Sequence, residues 1–392
     1  MKQAVVIIHG IGEQLPMSTL RGFAAAVLPS ASNGKPQFYS KPDSASDLFE
    51  LRRLQGANQG RTVTHLFEYY WAYQVEGTAL THLRTWLTSV LLRKPKNVPR
   101  HLFPLWLLSW LLVLLFAWFA LAAVLRSPLV AGQGEGRGGL TSAVTAAVIG
   151  LLQYVLIYYV GDAARYLSPH PRNVGLRQTI RSNGVKLLRK LHESGEYERI
   201  VVVGHSLGSV IAYDILNHLW QEYHDVHTKP QRINQVAKNE LELAGQMLLG
   251  RESTVTITDF QKKQHVLWKE QRSLGNPWLI TDLITLGSPL AHAVLLLAKG
   301  ESDLKNRQLC RELPTSPPAY EGKHISFVKR PPYEVNGQKV SLFVLHHAAV
   351  FACTRWTNLF FPAKFGLFGD FVGGPLAPVF GKGVRDCPLD GR

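Results

Sequence analysis

The residues ERIVVVGHSLGSVIAYDIL constrain this chain more than any other stretch of it. Ile200 to Val203 are a continuous apolar run, Gly204-His205-Ser206-Leu207-Gly208 follow, and apolar residues then return at helical spacing. A short apolar run of this kind reads as a strand buried on both faces of a parallel sheet. For so tight a turn into a helix, the residues two before and two after the serine must be small, and Gly204 and Gly208 are. The turn lifts Ser206 Oγ into the open, and the following helix points the positive end of its dipole at it. The G-x-S-x-G spacing alone is common by chance; the strand before it and the helix after it make it specific. An idle serine in an ordinary strand-turn-helix is the competing reading.

Other stretches read as strands of the same sheet. The chain opens with AVVIIHGIGEQ, five apolar residues running into His9-Gly10. Thr62 to Gln74 is aromatic and β-branched, Trp278 to Ala293 contains a buried strand ending in T-L-G-S-P, and Arg355 to Phe361 is the last strand expected. Residues 30–60 are polar and without clear period, so loop with a short helix is expected there. Ala79 to Arg93 read as a helix, and Thr228 to Lys238 as a basic, solvated linker. Active sites of open parallel sheets form at the carboxyl ends of the strands. Asp282, where its strand begins, is therefore on the wrong edge, while His292 is on the right one but has no acid before it.

The segments around Ser206 and around His9-Gly10-Ile11-Gly12 resemble the α/β-hydrolase superfamily, in particular its lipase-like, inositol-deacylase-like branch. The resemblance covers both halves of the chain but not the segment between them. It implies an α/β fold with a mostly parallel sheet flanked by helices, and Ser206 as the nucleophile of an ester hydrolase. It also implies that the backbone N–H groups of Ile11 and Leu207 receive the oxyanion, where two fixed donors are typically worth several kcal/mol. His9 is expected to be structural and His205 to pack near the turn. Asp370, in a Gly-rich loop after the last strand, resembles the family's acid, which would hold a histidine in the right tautomer. A turn aspartate bonded to its own backbone is the alternative.

The histidine itself is the departure. Family order is serine, acid, histidine, yet the last of the 15 histidines is His347, and residues 348–392 contain none. Three readings stay open: a chain cut short before its base, a base supplied by His346 or His347 after the apolar run VSLFVL, or a fold kept for binding without catalysis. His347 is carried as the candidate base. No metal is expected, since His218, His224, Asp225 and His227 match no ligand spacing, and no organic cofactor is implied. Asp214 reads as a packing residue, and GQGEGRGG lacks the setting of a phosphate loop.

Two uncharged runs divide the chain. Residues 102–125 hold 24 positions and residues 140–161 hold 22; as a helix the first would span roughly 36 Å, enough for a hydrocarbon core of about 30 Å. The expected organisation is therefore a hydrolase domain split into 1–95 and 169–392, with an inserted transmembrane hairpin at 96–168. The formal net charge is +15, and arginines and lysines crowd both flanks of the hairpin. That placement puts both termini and the catalytic domain on the cytoplasmic face of a bacterial inner membrane, with a lipid bilayer as partner. The opening apolar run is too short for a signal peptide. Nucleic acid is not expected, for want of a basic-aromatic module. Three scattered cysteines suit a reducing compartment, and no oligomeric state is implied. The function expected is cleavage of an acyl ester, a lipid one in view of the tether; the rival is a non-catalytic membrane scaffold or lipid-binding protein.

Overall fold

Lys2–Ile8 (β1) ends in Val5, Val6, Ile7 and Ile8, all buried. Side chains apolar on both faces need helices above and below and a strand on each side. In the computed structural model, β1 lies between Val63–Tyr69 (β4) and Arg199–His205 (β5), parallel to both. The structure describes residues 1–11, 15–29, 36–43, 45–56, 62–75, 171–228, 235–250, 255–329, 333–335, 337–362 and 372–390, with isolated positions between 92 and 167.

The chain divides into two compact units, one of Met1–Gln74, Gly175–Ala293 and Ser302–Arg392, the other of Val75–Val174 and Val294–Glu301. The first unit is built on an eight-stranded sheet. It adds Phe38–Pro42 (β2), Arg52–Gly56 (β3), Ile280–Leu286 (β6), Arg355–Phe360 (β11) and Val384–Pro388 (β12), in the order β12-β11-β6-β5-β1-β4-β3-β2. The strands from β12 to β4 are parallel, and β3 and β2 continue antiparallel at one edge. Ile8 is level with both Tyr69 and Gly204, so the carboxyl ends of β4, β1 and β5 align. The chain leaves β1 towards β4 but leaves β5 towards β6, so the sheet changes winding direction between β1 and β5. In open parallel sheets that is where a ligand crevice forms.

The described long helices of this unit are Ser18–Val27 (α1), Val174–Glu193 (α2), Leu207–Tyr223 (α3), Val236–Leu249 (α4) and Ile257–Ser273 (α5). The α3 helix is the central one, with Val210, Ile211, Tyr213, Ile215, Leu216, Leu219 and Trp220 all buried. It lies so close to α2 that a Cβ on Gly184 would land on the Ile215 side chain. Thr256 caps α5 by accepting from Asp259 N–H at 3.1 Å. Gln261 and Gln264 of α5 then donate to the carbonyls of Trp356 and Phe351. The Phe351 and Trp356 rings stack at 4.5 Å, with Tyr213 and Phe380 against them; burying one such ring stabilises by about 2 kcal/mol. Two small antiparallel pairs, Ser326–Val328 (β7) with Phe343–Leu345 (β10) and Tyr333–Val335 (β8) with Gln338–Val340 (β9), lie outside the main sheet.

Several expectations are corrected. Residues 30–60 supply the edge strand β2 and its neighbour β3, whose Lys41, Arg52 and Arg53 keep that side of the sheet polar and so erase the apolar signal. Thr62 to Gln74 is strand only to Tyr69 and then turns into a short 3₁₀ segment, Ala72–Gln74. Lys238 is not a solvated linker residue: it is 3% exposed in α4 and paired with Glu242 at 3.1 Å. Residues 229–234 and the expected helix up to Arg93, apart from Leu92, lie outside the described residues.

The transmembrane expectation is overturned. Among the described residues no helix is long and apolar enough to cross a membrane. The 20-residue α2 has the length, but Arg177, Arg181, Lys186, Arg189 and Lys190 give it a charged side incompatible with a hydrocarbon core. In the second unit, scattered positions from Phe103 to Leu121 are helical, with Leu107, Leu114 and Trp118 exposed; the second expected span, 140–161, lies outside the described residues. The inner-membrane placement rested on that crossing and goes with it.

Candidate active site

Ser206 stands where β5 becomes α3, with φ +50° and ψ −126°. A positive φ is costly for a residue with a side chain, of the order of 1–3 kcal/mol, and such strain tends to gather at functional sites. The surrounding backbone holds it. Ser206 N–H donates to Leu286 O at 2.9 Å, and Ser206 O accepts from Ser209 N–H at 2.9 Å. Gly204 and Gly208 are required sterically: a Cβ on Gly204 would stand 2.5 Å from Ser209 Cα, and one on Gly208 would land on the carbonyl oxygens of Ile8 and His9. Ser206 is left partly exposed, and among the described residues none hydrogen-bonds its Oγ.

The turn after β1 closes on this serine from the other side of the crevice. A Cβ on Gly10 would stand 3.0 Å from Ser206 Cβ and 3.3 Å from His205 Nδ1. Ile11 follows directly, and Leu207 opens α3, whose first-turn N–H groups have no acceptor within the helix. The two expected oxyanion donors thus flank Ser206 from β1 and from α3.

His9 fastens the β1 turn. It is fully buried, accepts from Trp71 N–H at Nε2 (3.1 Å), and bonds Gly10 O through Nδ1 (2.8 Å). Its ring stacks on that of Trp71 at 5.0 Å, and the indole N–H returns a bond to His9 O. Burial drives its pKa down to about 4, the Gly10 bond opposing and nearby His205 assisting. His9 is therefore a neutral structural group, and the exposed His205 sits at the mouth.

The candidate base is not brought to this site. His346 and His347 follow β10, which belongs to a separate two-stranded sheet. The His346 carbonyl accepts from the indole of Trp220, fourteen residues beyond Ser206 and so roughly 20 Å along α3. His347 is exposed and electrostatically coupled to His224, just past the end of α3. His346 is buried, with Nε2 against Ala319 O and Nδ1 accepting from Ala348 N–H, and burial lowers its pKa to about 4. The apolar run ahead of them is real, but it joins the wrong sheet. Asp370, the candidate acid, lies outside the described residues; the strand before it, β11, ends on the same carboxyl edge as β5.

Other carboxylates are occupied elsewhere. Asp282 pairs with Arg355 at 2.8 Å, and Asp214 with Arg181 at 2.6 Å. Among the described residues no group of His, Cys, Asp and Glu could hold a metal ion. Two buried serines were not foreseen: Ser209, one turn into α3, and Ser288, just after β6, meet at 2.6 Å beneath the nucleophile turn. The T-L-G-S-P motif contains Ser288 but says nothing of its partner, 79 residues away.

No protein-family model, curated protein or solved structure matches this chain.

Proposed function

We propose that the chain is a serine ester hydrolase of the α/β-hydrolase type. The observation that carries this reading is Ser206 itself, held at positive φ and partly exposed between a buried parallel strand and a helix, at the carboxyl edge where the sheet changes winding direction. In the reaction, Ser206 Oγ forms a bond to the ester carbonyl carbon while a histidine takes its proton. The carbonyl oxygen becomes an anion facing the N–H groups of Ile11 and Leu207; its collapse expels the alcohol, which leaves with that proton, and water then releases the acid. Asp370 is the proposed orienting acid, and the strand order around β5, with β6, β11 and β12 on one side and β1 on the other, supports its loop reaching the same edge. His347, beside His224 past the far end of α3, is not proposed as the base. The substrate class is an acyl ester, by analogy with the resemblance.

A second reading, a hydrolase fold retained for binding, is favoured by one fact: no described histidine or carboxylate bonds Ser206 Oγ. A fluorophosphonate probe separates the two. Covalent labelling of the wild-type chain, lost in Ser206→Ala with an unchanged melting temperature, is expected; a folded wild type that takes no label refutes the hydrolase.

A further inference from the structure

The two buried serines under the turn form a chain of hydrogen bonds with a single direction. Ser209 Oγ lies 2.6 Å from Ser206 O, an acceptor only, so its one proton goes there. The contact of Ser209 Oγ with Ser288 Oγ at 2.6 Å must then carry the proton of Ser288. Ser288 Oγ in turn accepts from Leu290 N–H at 3.3 Å. Both serines are fully buried, so water does not compete. The direction of every bond, from Leu290 through Ser288 and Ser209 to the Ser206 carbonyl, follows from proton count alone.

That carbonyl belongs to the peptide whose other end is Leu207 N–H. In a trans peptide the C=O and N–H point opposite ways, so anchoring the oxygen towards Ser209 aims the hydrogen away from it. Two bonds on the oxygen, from Ser209 Oγ and Ser209 N–H, also polarise the peptide, and bonds in a chain strengthen one another. We infer that Ser209 and Ser288 are positioning residues which orient and polarise the Leu207 amide as an oxyanion donor. The inference rests on the hydrolase reading above and concerns the same site. Neither serine touches the reacting atoms; both act through the Ser206–Leu207 peptide.

The test is saturation kinetics of fluorophosphonate labelling in the full chain, because phosphonylation of Ser206 places a developing oxyanion in the same position. Ser209→Ala is expected to lower kinact about tenfold while KI is unchanged, since a group acting on charge development affects the transition state and not ground-state binding. Ser288→Ala is expected to lower kinact less, and the double variant to be no slower than Ser209→Ala alone, because the hydroxyls act in series. A merely structural pair would shift melting temperatures without this pattern. Wild-type kinact in Ser209→Ala, or a double variant slowed by the product of the single effects, overturns the inference and leaves the hydrolase standing. A wild type that takes no label overturns the hydrolase and the inference with it. Should Ser209→Ala fail to fold, Ser288→Ala, one bond further from the turn, decides alone.

Discussion

At the scale of single residues, the glycines around Ser206 differ in kind from glycines elsewhere. Gly208 lies where any side chain would meet the main-chain oxygens of Ile8 and His9, which cannot rotate away, whereas Gly22 in α1 is exposed, with nothing among the described residues within 4 Å of an added Cβ. Gly208→Ala is therefore expected to cost about 2–3 kcal/mol through overpacking and to abolish labelling by pushing α3 off β1. Gly22→Ala is expected to stabilise by about 0.5–1 kcal/mol, since it removes unfolded-state freedom from a helix interior. Urea denaturation of both variants checks the pair; equal midpoints would refute the close approach of α3 to β1. The same local logic made this part of the site readable in the sequence. The glycines and the serine fall within five residues, with the strand directly before and the helix directly after, and short-range sterics alone dictate the turn. Ser209 and Ser288 come from α3 and from beyond β6, and nothing local to either announces the other.

At the scale of elements, the strands readable in the sequence were interior ones: β1 and β5 are runs rich in Val and Ile, and β6 and β11 interleave large apolar residues with Thr, Asn and a single charge. The edge strand β2 and its neighbour β3 carry charge instead, and β12 at the other edge, VRDCP, is short and polar. The placement of His347 failed because an apolar run does not say which sheet it joins. The α4 helix was obscured by a different cause, a buried ion pair. Glu242 is held by Lys238 at 3.1 Å, by Ile325 N–H at 3.0 Å, by Ser326 Oγ at 2.9 Å and by His324 Nδ1 at 3.1 Å, so one carboxylate pins the start of β7 to α4. Removing one member of a buried pair strands the other charge, at a cost of about 3–5 kcal/mol, while an apolar replacement of both is much cheaper. Glu242→Ala is expected to lose stability in that range in chemical denaturation, and Lys238→Met with Glu242→Leu to recover most of it. A loss below 1 kcal/mol in the single variant would mean that the pair is hydrated and not a clamp.

At the scale of the whole molecule, buried titrating groups set how stability varies with pH. His9, His65 and His346 are each at most 3% exposed, and burial leads the causes that bring each pKa down from 6.5 to about 4. Between those values the unfolded chain binds protons that the native fold refuses, so stability rises with pH, by up to about 1.4 kcal/mol per pH unit for each such group. Glu68 acts in the opposite sense. Its Oε2 accepts Met17 N–H at the start of α1, its Oε1 has no hydrogen-bond partner among the described residues, and burial pushes its pKa up to about 7. The native state therefore keeps a proton that the unfolded chain has released above about 4.5, and stability falls between that pH and 7. Three histidines outweigh one carboxyl. The folding free energy is expected to climb from about pH 4 and to level off above about pH 7, as measured by denaturant unfolding across that range. Glu68→Gln leaves an acceptor for Met17 and removes the opposing proton, so its profile should climb more steeply than wild type and exceed it at pH 8. A profile flat from pH 4 to 7 would mean that these imidazoles ionise inside the fold, which the packing of His9 between Trp71 and the nucleophile turn does not allow.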